Sequence, residues 1–402
     1  MPEEKNLLMV TVSGADRPGI TARFTAVLMK HRVEVLDIEQ ASLQDLLGLY
    51  FLLDLTPVTE SKDSVIKDLL FEANKLKLTL HFRLLEEGEI VPVNQGNFYV
   101  LTHFGGTHAL AEISQILAEE NVNIETITCH TYHGARSVEM VIDAHGAPEL
   151  GRLKQRIMLK SRELGVDLAL QKMESYRKNK RIIFFDMDST LVDMEIIDEL
   201  ARRGGVHREV QRITEKAMRG DFDFEEALIQ RVALLKGLSV EEMMDLRGRI
   251  PLSEGVEELI VTLKWLGYRL GVVTGGFDFF ADHLKEKLGF DFAYSNRLEI
   301  KNGALTGKVT GEIVDAVGKA RIVSRVSSDL GIPLDQIVVV GDGANDALMI
   351  GQAGLGIAYN ARKRLDRVAQ VSLGKARLLH IYHLLGITEE DIREAMASRQ
   401  PS

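Results

Sequence analysis

The chain has 402 residues, of which 45% are hydrophobic and 27% charged, a balance typical of a folded chain long enough for two or three domains. Acidic residues outnumber basic ones by 59 to 49, so no overall basic field favours binding to nucleic acid or to an anionic membrane. A single cysteine, Cys129, excludes an internal disulfide, and the N-terminus has no basic leader; we therefore expect a cytoplasmic protein without a membrane span.

The first half of the chain contains a weak internal repeat with an offset of about 89 residues. The segment Arg32–Ile38 aligns with Asn121–Ile127, and an apolar stripe at helical spacing precedes each of these alternating segments. Each copy then continues with a further strand, a helix and a last strand. The pattern predicts two α+β domains of order βαββαβ, over residues 1–90 and 91–175.

The first strand runs into a turn, Gly-Ala-Asp-Arg-Pro-Gly at residues 14–19, that leads into a helix. This turn resembles the ligand loop of ACT domains, which bind small molecules, usually amino acids, at interfaces between paired domains. The resemblance implies regulatory roles for Gly14, Asp16 and Gly19, and a homodimer. The second copy departs from the pattern, with Phe-Gly-Gly-Thr at residues 104–107. The alternative is that both copies serve only to dimerise the protein.

From residue 176 onward, apolar strands alternate with helical segments, which predicts a doubly wound parallel sheet over residues 176–402. Three of the apolar strands end in polar residues, at the edge where open α/β sheets bind their ligands. As an alternative, a single Asp-x-Asp pair could merely cap the next helix. The polar residues that follow the three strands are Asp186 and Asp188, then Thr274 and Gly275, then Asp342, Asn345 and Asp346.

With Lys319 between the second and third of these strands, the motifs resemble the haloacid dehalogenase superfamily. The resemblance implies that Asp186 is a nucleophile and that Asp188 is a general acid and base. It also implies an Mg²⁺ ion held by Asp186, Asp188 and Asp342, with Asp346 supporting the metal site. The implied ligands of the substrate on the sheet edge are Thr274, Gly275, Lys319 and Asn345. Thr274 departs from the family, which usually has Ser at this position.

Residues 192–255 form a helical insertion, and Asn-Gly at the centre of residues 295–311 predicts a β-hairpin beside the site. Glu195, Phe224 and Arg231 in the insertion resemble the four-helix cap of phosphoserine phosphatases. In those enzymes a Glu and an Arg hold the amino and carboxylate groups of the substrate.

The resemblance therefore implies Mg²⁺-dependent hydrolysis of phosphoserine as the last step of serine synthesis. Serine, the product, is then the expected effector of the N-terminal domains. Two alternatives stay open: a phosphatase for phosphohomoserine, a sugar phosphate or a phosphotransfer acceptor, and an amino-acid sensor whose phosphatase half is inactive. The pair Glu195 and Arg231 disfavours the first, and the complete set of catalytic residues disfavours the second.

Overall fold

The computed structural model describes residues 6–58, 61–85, 97–132, 135–173, 179–219, 221–361, 365, 368–374 and 377–398. By its internal contacts the chain divides into two compact units, Met1–Gln95 and Gly96–Ser402. The domain boundaries predicted at 90/91 and 175/176 both fall outside the described residues.

The first unit is a four-stranded antiparallel sheet with two helices. Its strand order is β2-β3-β1-β4. Val10 and Val12 of the first strand are buried in one apolar cluster with Phe24 of the first helix. The apolar face of the strand therefore packs against the apolar face of the helix. The predicted βαββαβ order is confirmed for this unit: β1 (Leu7–Ala15), α1 (Ile20–Lys30), β2 (Glu34–Leu43), β3 (Leu46–Asp54), α2 (Lys62–Lys75) and β4 (Thr79–Leu85).

The second unit opens with six elements in the same order, and we call these six elements the second module. Its strand order, β6-β7-β5-β8, matches that of the first unit. Arg32 and Asn121, aligned by the sequence repeat, both adopt positive φ angles, 57° and 54°, just before the second strand of each copy. The elements are β5 (Phe98–His103), α3 (Thr107–Glu119), β6 (Asn123–Tyr132), β7 (Ala135–Asp143), α4 (Leu150–Leu164) and β8 (Leu168–Lys172).

A mainly parallel sheet of order β12-β11-β10-β9-β13-β14-β15 follows. Ile183 and Phe185 of β9 (Ile182–Phe185) belong to one apolar core, while Ile182 and Phe184 belong to another, so both faces of the sheet are covered. None of the helices that the structure describes is long and apolar enough to cross a membrane. The other elements are α9 (Val256–Trp265), β10 (Arg269–Phe277), α10 (Asp278–Leu288), β11 (Phe292–Lys301), β12 (Ala304–Thr310), α11 (Ala316–Leu330), β13 (Ile337–Gly341), α12 (Ala347–Gln352), β14 (Leu355–Tyr359), β15 (Val371–Leu373), α13 (Ile381–Leu384) and α14 (Glu389–Ala397).

Four helices are inserted between β9 and α9, and we call them the cap: α5 (Ile196–Arg203), α6 (His207–Arg219), α7 (Phe224–Leu234) and α8 (Val240–Gly248). The antiparallel strands β11 and β12 form a hairpin whose turn residues, Asn302 and Gly303, both have positive φ angles, 51° and 76°. Backbone hydrogen bonds fasten this hairpin to the cap, because the Gly237 N–H donates to the Leu305 carbonyl at 2.8 Å and the Leu305 N–H donates to the Leu238 carbonyl at 2.9 Å.

The second module and the parallel sheet are joined through β8 and β15, which pair antiparallel and make one sheet of eleven strands. The buried Asp167, one residue before β8, strengthens this junction. Its carboxylate accepts the Gly374 N–H at 2.8 Å, pairs with Arg377 at 3.2 Å and contacts Nδ1 of His380 at 2.9 Å. The second module is therefore continuous with the parallel sheet.

Candidate active site

Three neighbouring parallel strands bring polar side chains to one edge of the sheet. β9 lies between β10 and β13 and pairs with both, so that Phe185 stands opposite Val272 and Val340. The residues that follow these positions emerge at the same edge, as expected for parallel strands. The side chains brought there are those of Asp186, Thr274 and Asp342.

The Lys319 ammonium is fully buried between two carboxylates. It lies on α11, whose N-terminus is capped by the Asp315 carboxylate accepting the Gly318 N–H at 2.7 Å. Its Nζ donates to Oδ1 of Asp186 at 2.8 Å and to Oδ1 of Asp346 at 2.7 Å. Burial, the largest single effect, disfavours the charged form, but the charges and hydrogen bonds of Asp186 and Asp346 outweigh it and raise the pKa of Lys319. The ammonium is thus held charged beside Asp186.

Asp186, Asp342 and Asp346 form a cluster of carboxylates. One oxygen from each lies within 4.8 Å of the others. Burial, together with the charges of Asp186 and Asp346, raises the pKa of Asp342 to about 8. Lys319 alone cannot balance three carboxylates, and a set of hard oxygen donors is what Mg²⁺ prefers. The cluster fits a divalent cation, and it contains two of the predicted metal ligands together with Asp346.

Asp188 lies in the loop that follows the first of these carboxylates. Burial raises the pKa of Asp188 well above its usual range, and the charges of Glu195 and Asp186 raise it further. Its Oδ1 is buried and has no hydrogen-bond partner among the described residues. The next residue, Ser189, adopts a positive φ of 58°, and its hydroxyl donates to Oε1 of Glu195 at 2.9 Å. The environment thus favours a protonated Asp188 carboxyl.

Two side chains hold the last part of β10, from Thr274 to Gly276. Oγ1 of Thr274 accepts the Gly276 N–H at 2.9 Å, which leaves the hydroxyl hydrogen for another acceptor. Asn296, fully buried, donates from Nδ2 to the Gly275 carbonyl at 2.8 Å and accepts the Val314 N–H at 2.8 Å. Sequence reasoning missed Asn296, because a polar residue inside a strand carries no local signal of a bond to a distant turn.

Cap residues reach the same edge of the sheet. Phe224, the first residue of α7, lies over Gly275, since a Cβ built on that glycine would stand 3.0 Å from Cζ of Phe224. Burial lowers the pKa of Arg231, on the same helix, and the charges of Asp198, Glu195 and Asp188 oppose this shift. Phe224 therefore lies at Gly275, and Glu195 and Arg231 lie near enough to Asp188 for their charges to act on it.

Asn345 and Asp346 lie in a short turn after β13 that packs closely against its glycines. A Cβ at Gly343 would stand 2.1 Å from Oδ1 of Asn345, and one at Gly341 would stand 2.5 Å from Oδ2 of Asp346. Oδ2 of Asp346 also accepts the Gly343 N–H at 3.0 Å. Because its other oxygen bonds to Lys319, both oxygens of Asp346 are engaged within the protein.

The residues predicted to regulate the protein lie in the first unit. Asp16 accepts the Ser42 hydroxyl at 2.7 Å and, with Gly19, lines a cavity of about 530 Å³. Gly19 has a φ of 93° and directly precedes α1. Gly14 packs against Leu78, with a Cβ position only 2.6 Å from Cδ2 of that leucine, and does not line the cavity.

Comparisons with known proteins agree with these two parts of the chain. The haloacid dehalogenase-like hydrolase family matches residues 180–354, and the ACT domain family matches residues 6–83. The chain is 39% identical over 394 residues to a phosphoserine phosphatase of Streptomyces coelicolor. The alignment covers 96% of this chain and 94% of that relative. It is 37% identical to a phosphoserine phosphatase of Mycobacterium tuberculosis, over 99% of this chain and 97% of the relative.

Solved structures show the same fold. A probable phosphoserine phosphatase from Vibrio cholerae has a TM-score of 0.56 at 31% identity, over 76% of this chain and 90% of that one. A hydrolase of the haloacid dehalogenase family from Salmonella enterica has a TM-score of 0.64 at 24% identity, over 73% of this chain and 99% of that one, and supports the fold alone. With relatives at such identity along almost its entire length, the chain belongs to the phosphoserine phosphatase family, with a haloacid dehalogenase-like hydrolase domain and an N-terminal ACT domain.

Proposed function

We propose that the protein hydrolyses O-phospho-L-serine to serine and phosphate through an aspartyl-phosphate formed on Asp186. The observation that carries this proposal is the buried Lys319 ammonium bonded to Asp186 at 2.8 Å. A carboxylate that attacks a dianionic phosphate needs positive charge beside it, and this charge is preorganised in a site shielded from water. The family relationship supports phosphoserine as the substrate.

In the first step, an oxygen of Asp186 attacks phosphorus while the bond between phosphorus and the serine oxygen breaks. The protonated Asp188 gives its proton to the leaving serine oxygen. The Thr274 hydroxyl, the Gly275 N–H and the Lys319 ammonium bind the equatorial phosphoryl oxygens, over which negative charge is spread. The hydroxyl of Thr274 is suited to this role because it accepts from Gly276 and keeps its hydrogen to donate.

In the second step, a water molecule attacks the phosphorus of the aspartyl-phosphate and gives a proton to Asp188. The bond between phosphorus and the Asp186 oxygen breaks, which releases phosphate and restores the starting state. One residue can serve as acid and then as base only if its pKa lies near the working pH. The raised pKa of Asp188 has the direction that this double role requires.

The carboxylates of Asp186 and Asp342 and the backbone carbonyl of Asp188 would hold Mg²⁺, in keeping with its preference for oxygen ligands. When bound, the ion supplies positive charge that offsets the repulsion between the Asp186 carboxylate and the phosphate. Asp346 would support this site without binding the ion directly, because both of its oxygens are already bonded. Asn345, the adjacent residue, would contact the bound substrate from the metal side.

Substrate choice would depend on the cap. Glu195 would hold the amino group of phosphoserine, Arg231 would hold its carboxylate, and Phe224 would cover the site from above Gly275. This pair of charges complements the ammonium and the carboxylate of a phosphorylated amino acid, and a simple sugar phosphate carries neither group. Phosphohomoserine differs from phosphoserine by one methylene, a difference that an enzyme discriminates by about 10- to 200-fold.

The proposal extends to regulation and cellular role. Asp16 can pair with an ammonium group, and backbone N–H groups at the start of α1 suit a carboxylate, so the cavity beside them suits an amino acid. We take serine as the effector, a homodimer as the working form, and the cytoplasm as the place where this reaction completes L-serine synthesis. The matched ACT domain supports the regulatory part.

The test is a phosphate-release assay of the full chain on phosphoserine, phosphothreonine, phosphohomoserine and sugar phosphates, with and without Mg²⁺. We expect phosphoserine to give the highest kcat/KM, in an Mg²⁺-dependent reaction. Asp186→Asn should abolish turnover without loss of folded structure, whereas Asp329→Asn, on the exposed side of α11, should keep it. Full activity of Asp186→Asn would rule out the aspartyl-phosphate. A higher kcat/KM on a sugar phosphate than on phosphoserine would rule out phosphoserine as the substrate.

A further inference from the structure

A second cleft lies within the second unit, where the second module meets the parallel sheet. It has a volume of about 490 Å³. One wall comes from α4 and β8 of the second module, and the other comes from Leu334 and Asp335, in the turn before β13, and from the end of α12. Leu150, Leu170 and Leu334 give it apolar sides. None of its lining residues belongs to the catalytic set.

Lys154 of α4 brings a positive charge into this cleft. Burial lowers the pKa of Lys154, and no neighbouring charge opposes the shift. Within the described part of the chain, no ion pair or hydrogen bond engages its ammonium. By contrast, three basic residues on the opposite side of α4 are paired with glutamates: Arg152, Arg156 and Lys160. A partly buried charge without a partner is unfavourable, so an anion in the cleft would be stabilised there.

The opposite wall is tied to the catalytic residues. Gln352 ends α12, a helix that begins directly after Asp346. Its Nε2 donates to the Ala320 carbonyl at 2.8 Å, and Ala320 directly follows Lys319. Its Oε1 accepts the Ser324 hydroxyl at 3.1 Å. A ligand that presses on Gln352 therefore acts on the elements that carry both partners of the Lys319 and Asp346 ion pair.

We infer that this cleft is an effector site for a small aliphatic carboxylate, such as a branched-chain amino acid. Its carboxylate binds the Lys154 ammonium, its hydrocarbon part lies against Leu170 and Leu334, and occupancy changes turnover through Gln352. The site differs from the amino-acid site proposed at Asp16. The effect on turnover rests on the proposed phosphatase function, whereas the binding does not.

Binding is tested by titration calorimetry of the full chain with L-leucine, isovalerate, the neutral analogue isoamyl alcohol and inorganic phosphate. We expect both carboxylates to bind, and to bind at least about tenfold more weakly to Lys154→Met, because a charge-assisted hydrogen bond is lost. Lys160→Met, on the same helix, and Asp16→Ala should bind like the wild type. Melting temperatures establish that each variant is folded.

The proposal is overturned if neither carboxylate binds, if Lys154→Met binds them as well as the wild type does, or if phosphate alone binds in a Lys154-dependent way. The neutral alcohol should bind weakly and equally to both proteins. Equal affinity of the alcohol and isovalerate for the wild type would also contradict the assignment, because the carboxylate would then contribute nothing.

Turnover is measured on phosphoserine with and without saturating L-leucine. We expect a change of about fivefold or more in kcat/KM, a typical size for allosteric coupling. Gln352→Met should still bind L-leucine but lose this change, since it keeps a side chain of similar length without the bond to Ala320. Leucine binding with unchanged turnover would disprove the coupling. Lys154-dependent binding in a protein that does not hydrolyse phosphoserine would leave the site standing and reject only the proposed function.

Discussion

Asn296 is bonded on both sides to backbone, and one of these bonds holds the turn that is proposed to bind phosphate. Its donor end holds the Gly275 carbonyl and its acceptor end holds the Val314 N–H, each at 2.8 Å. Both bonds are buried, where an unmade hydrogen bond leaves a costly unsatisfied group. Asn296 thereby holds the backbone that contains the Gly275 N–H, which is proposed to bind a phosphoryl oxygen, and we regard it as a positioning residue.

The variant Asn296→Asp keeps the acceptor for Val314 but places an oxygen against the Gly275 carbonyl. We expect kcat on phosphoserine to fall by roughly 10- to 100-fold with a smaller change in KM, because the turn donates most strongly to the charge of the transition state. Asn302→Asp, in the exposed turn of the same hairpin, is the matched control. Equal kinetics for wild type and Asn296→Asp would show that the bond to Gly275 does not matter.

Arg231 is the cap residue that we assign to the substrate carboxylate. Removing a charge-assisted hydrogen bond costs about 1.5–3 kcal/mol, so Arg231→Ala should raise the KM for phosphoserine by about tenfold or more. Arg249→Ala, an exposed cap arginine paired with Asp245, should leave KM unchanged. Steady-state kinetics on phosphoserine and phosphoethanolamine separate the cases, since equal losses on both substrates would contradict a carboxylate-specific role.

The cap and the hairpin are connected as one element beside the active site. In addition to the bonds at Leu305, the Val240 N–H donates to the Gly303 carbonyl at 2.9 Å. Gly307 of β12 has a φ of 82°, and a Cβ there would stand 3.1 Å from the Ala233 carbonyl oxygen of α7. Close backbone approach at Gly307 therefore fixes the hairpin against the cap helix that carries Phe224 and Arg231.

Gly307→Ala should weaken this attachment. The left-handed backbone alone costs a side chain about 1–2 kcal/mol, and the crowding against Ala233 adds to it. Gly303→Ala is the matched control, since its φ of 76° is similar but its Cβ position has no neighbour within 4 Å. Urea unfolding and kcat should show a larger loss of stability and activity for Gly307→Ala. Identical losses would mean that the contact with α7 contributes nothing.

Two histidines of the second unit, one buried and one partly buried, lie near the junction of the second module and the parallel sheet. Burial lowers the pKa of His103, at the end of β5, to about 4. Burial, followed by the charges of His380 and His130, also lowers the pKa of His383 to about 4. Both folded-state pKa values lie below the ordinary value of 6.5. Between pH 4 and pH 6.5 the unfolded chain therefore binds more protons than the folded chain does. The contribution of these histidines to the free energy of unfolding is full above pH 6.5 and is lost as the pH falls towards 4.

For the fully buried His103, this linkage predicts that the free energy of unfolding falls by about 2 kcal/mol between about pH 7 and about pH 5. His103→Asn cannot take up the proton but keeps an acceptor for the Gly105 N–H. Its unfolding free energy, measured by urea titration, should therefore depend less on pH by that amount. A variant with the pH dependence of the wild type would show that His103 is not the group responsible.

At the scale of the whole chain, serine binding at Asp16 should alter turnover at Asp186. We expect serine to change kcat/KM by about fivefold or more, with reciprocal effects of substrate on serine affinity. Asp16→Ala should remove this response, while Asp63→Ala, an exposed residue at the start of α2, should keep it. The test measures initial rates at increasing serine concentrations for the wild type and both variants. An unchanged response in Asp16→Ala would assign the effect to product binding at the active site.

The sequence by itself determined the elements and the residues at their ends. An apolar run that stops at Asp186 or Asp342 is a local pattern, and parallel strands bring their carboxyl ends together whatever the details of packing. The βαββαβ order, the Asn302 turn and the family motifs are likewise readable, because each depends on residues close together along the chain.

Only the tertiary structure decided which distant groups meet. The bond from Asn296 to Gly275, the pairing of β8 with β15 and the cleft at Lys154 join residues that no periodicity links. Local propensity sets where an element begins and ends, but contacts between elements depend on how whole side chains fill shared space. A buried polar residue such as Asn296 therefore reveals its role only when its partners are in place.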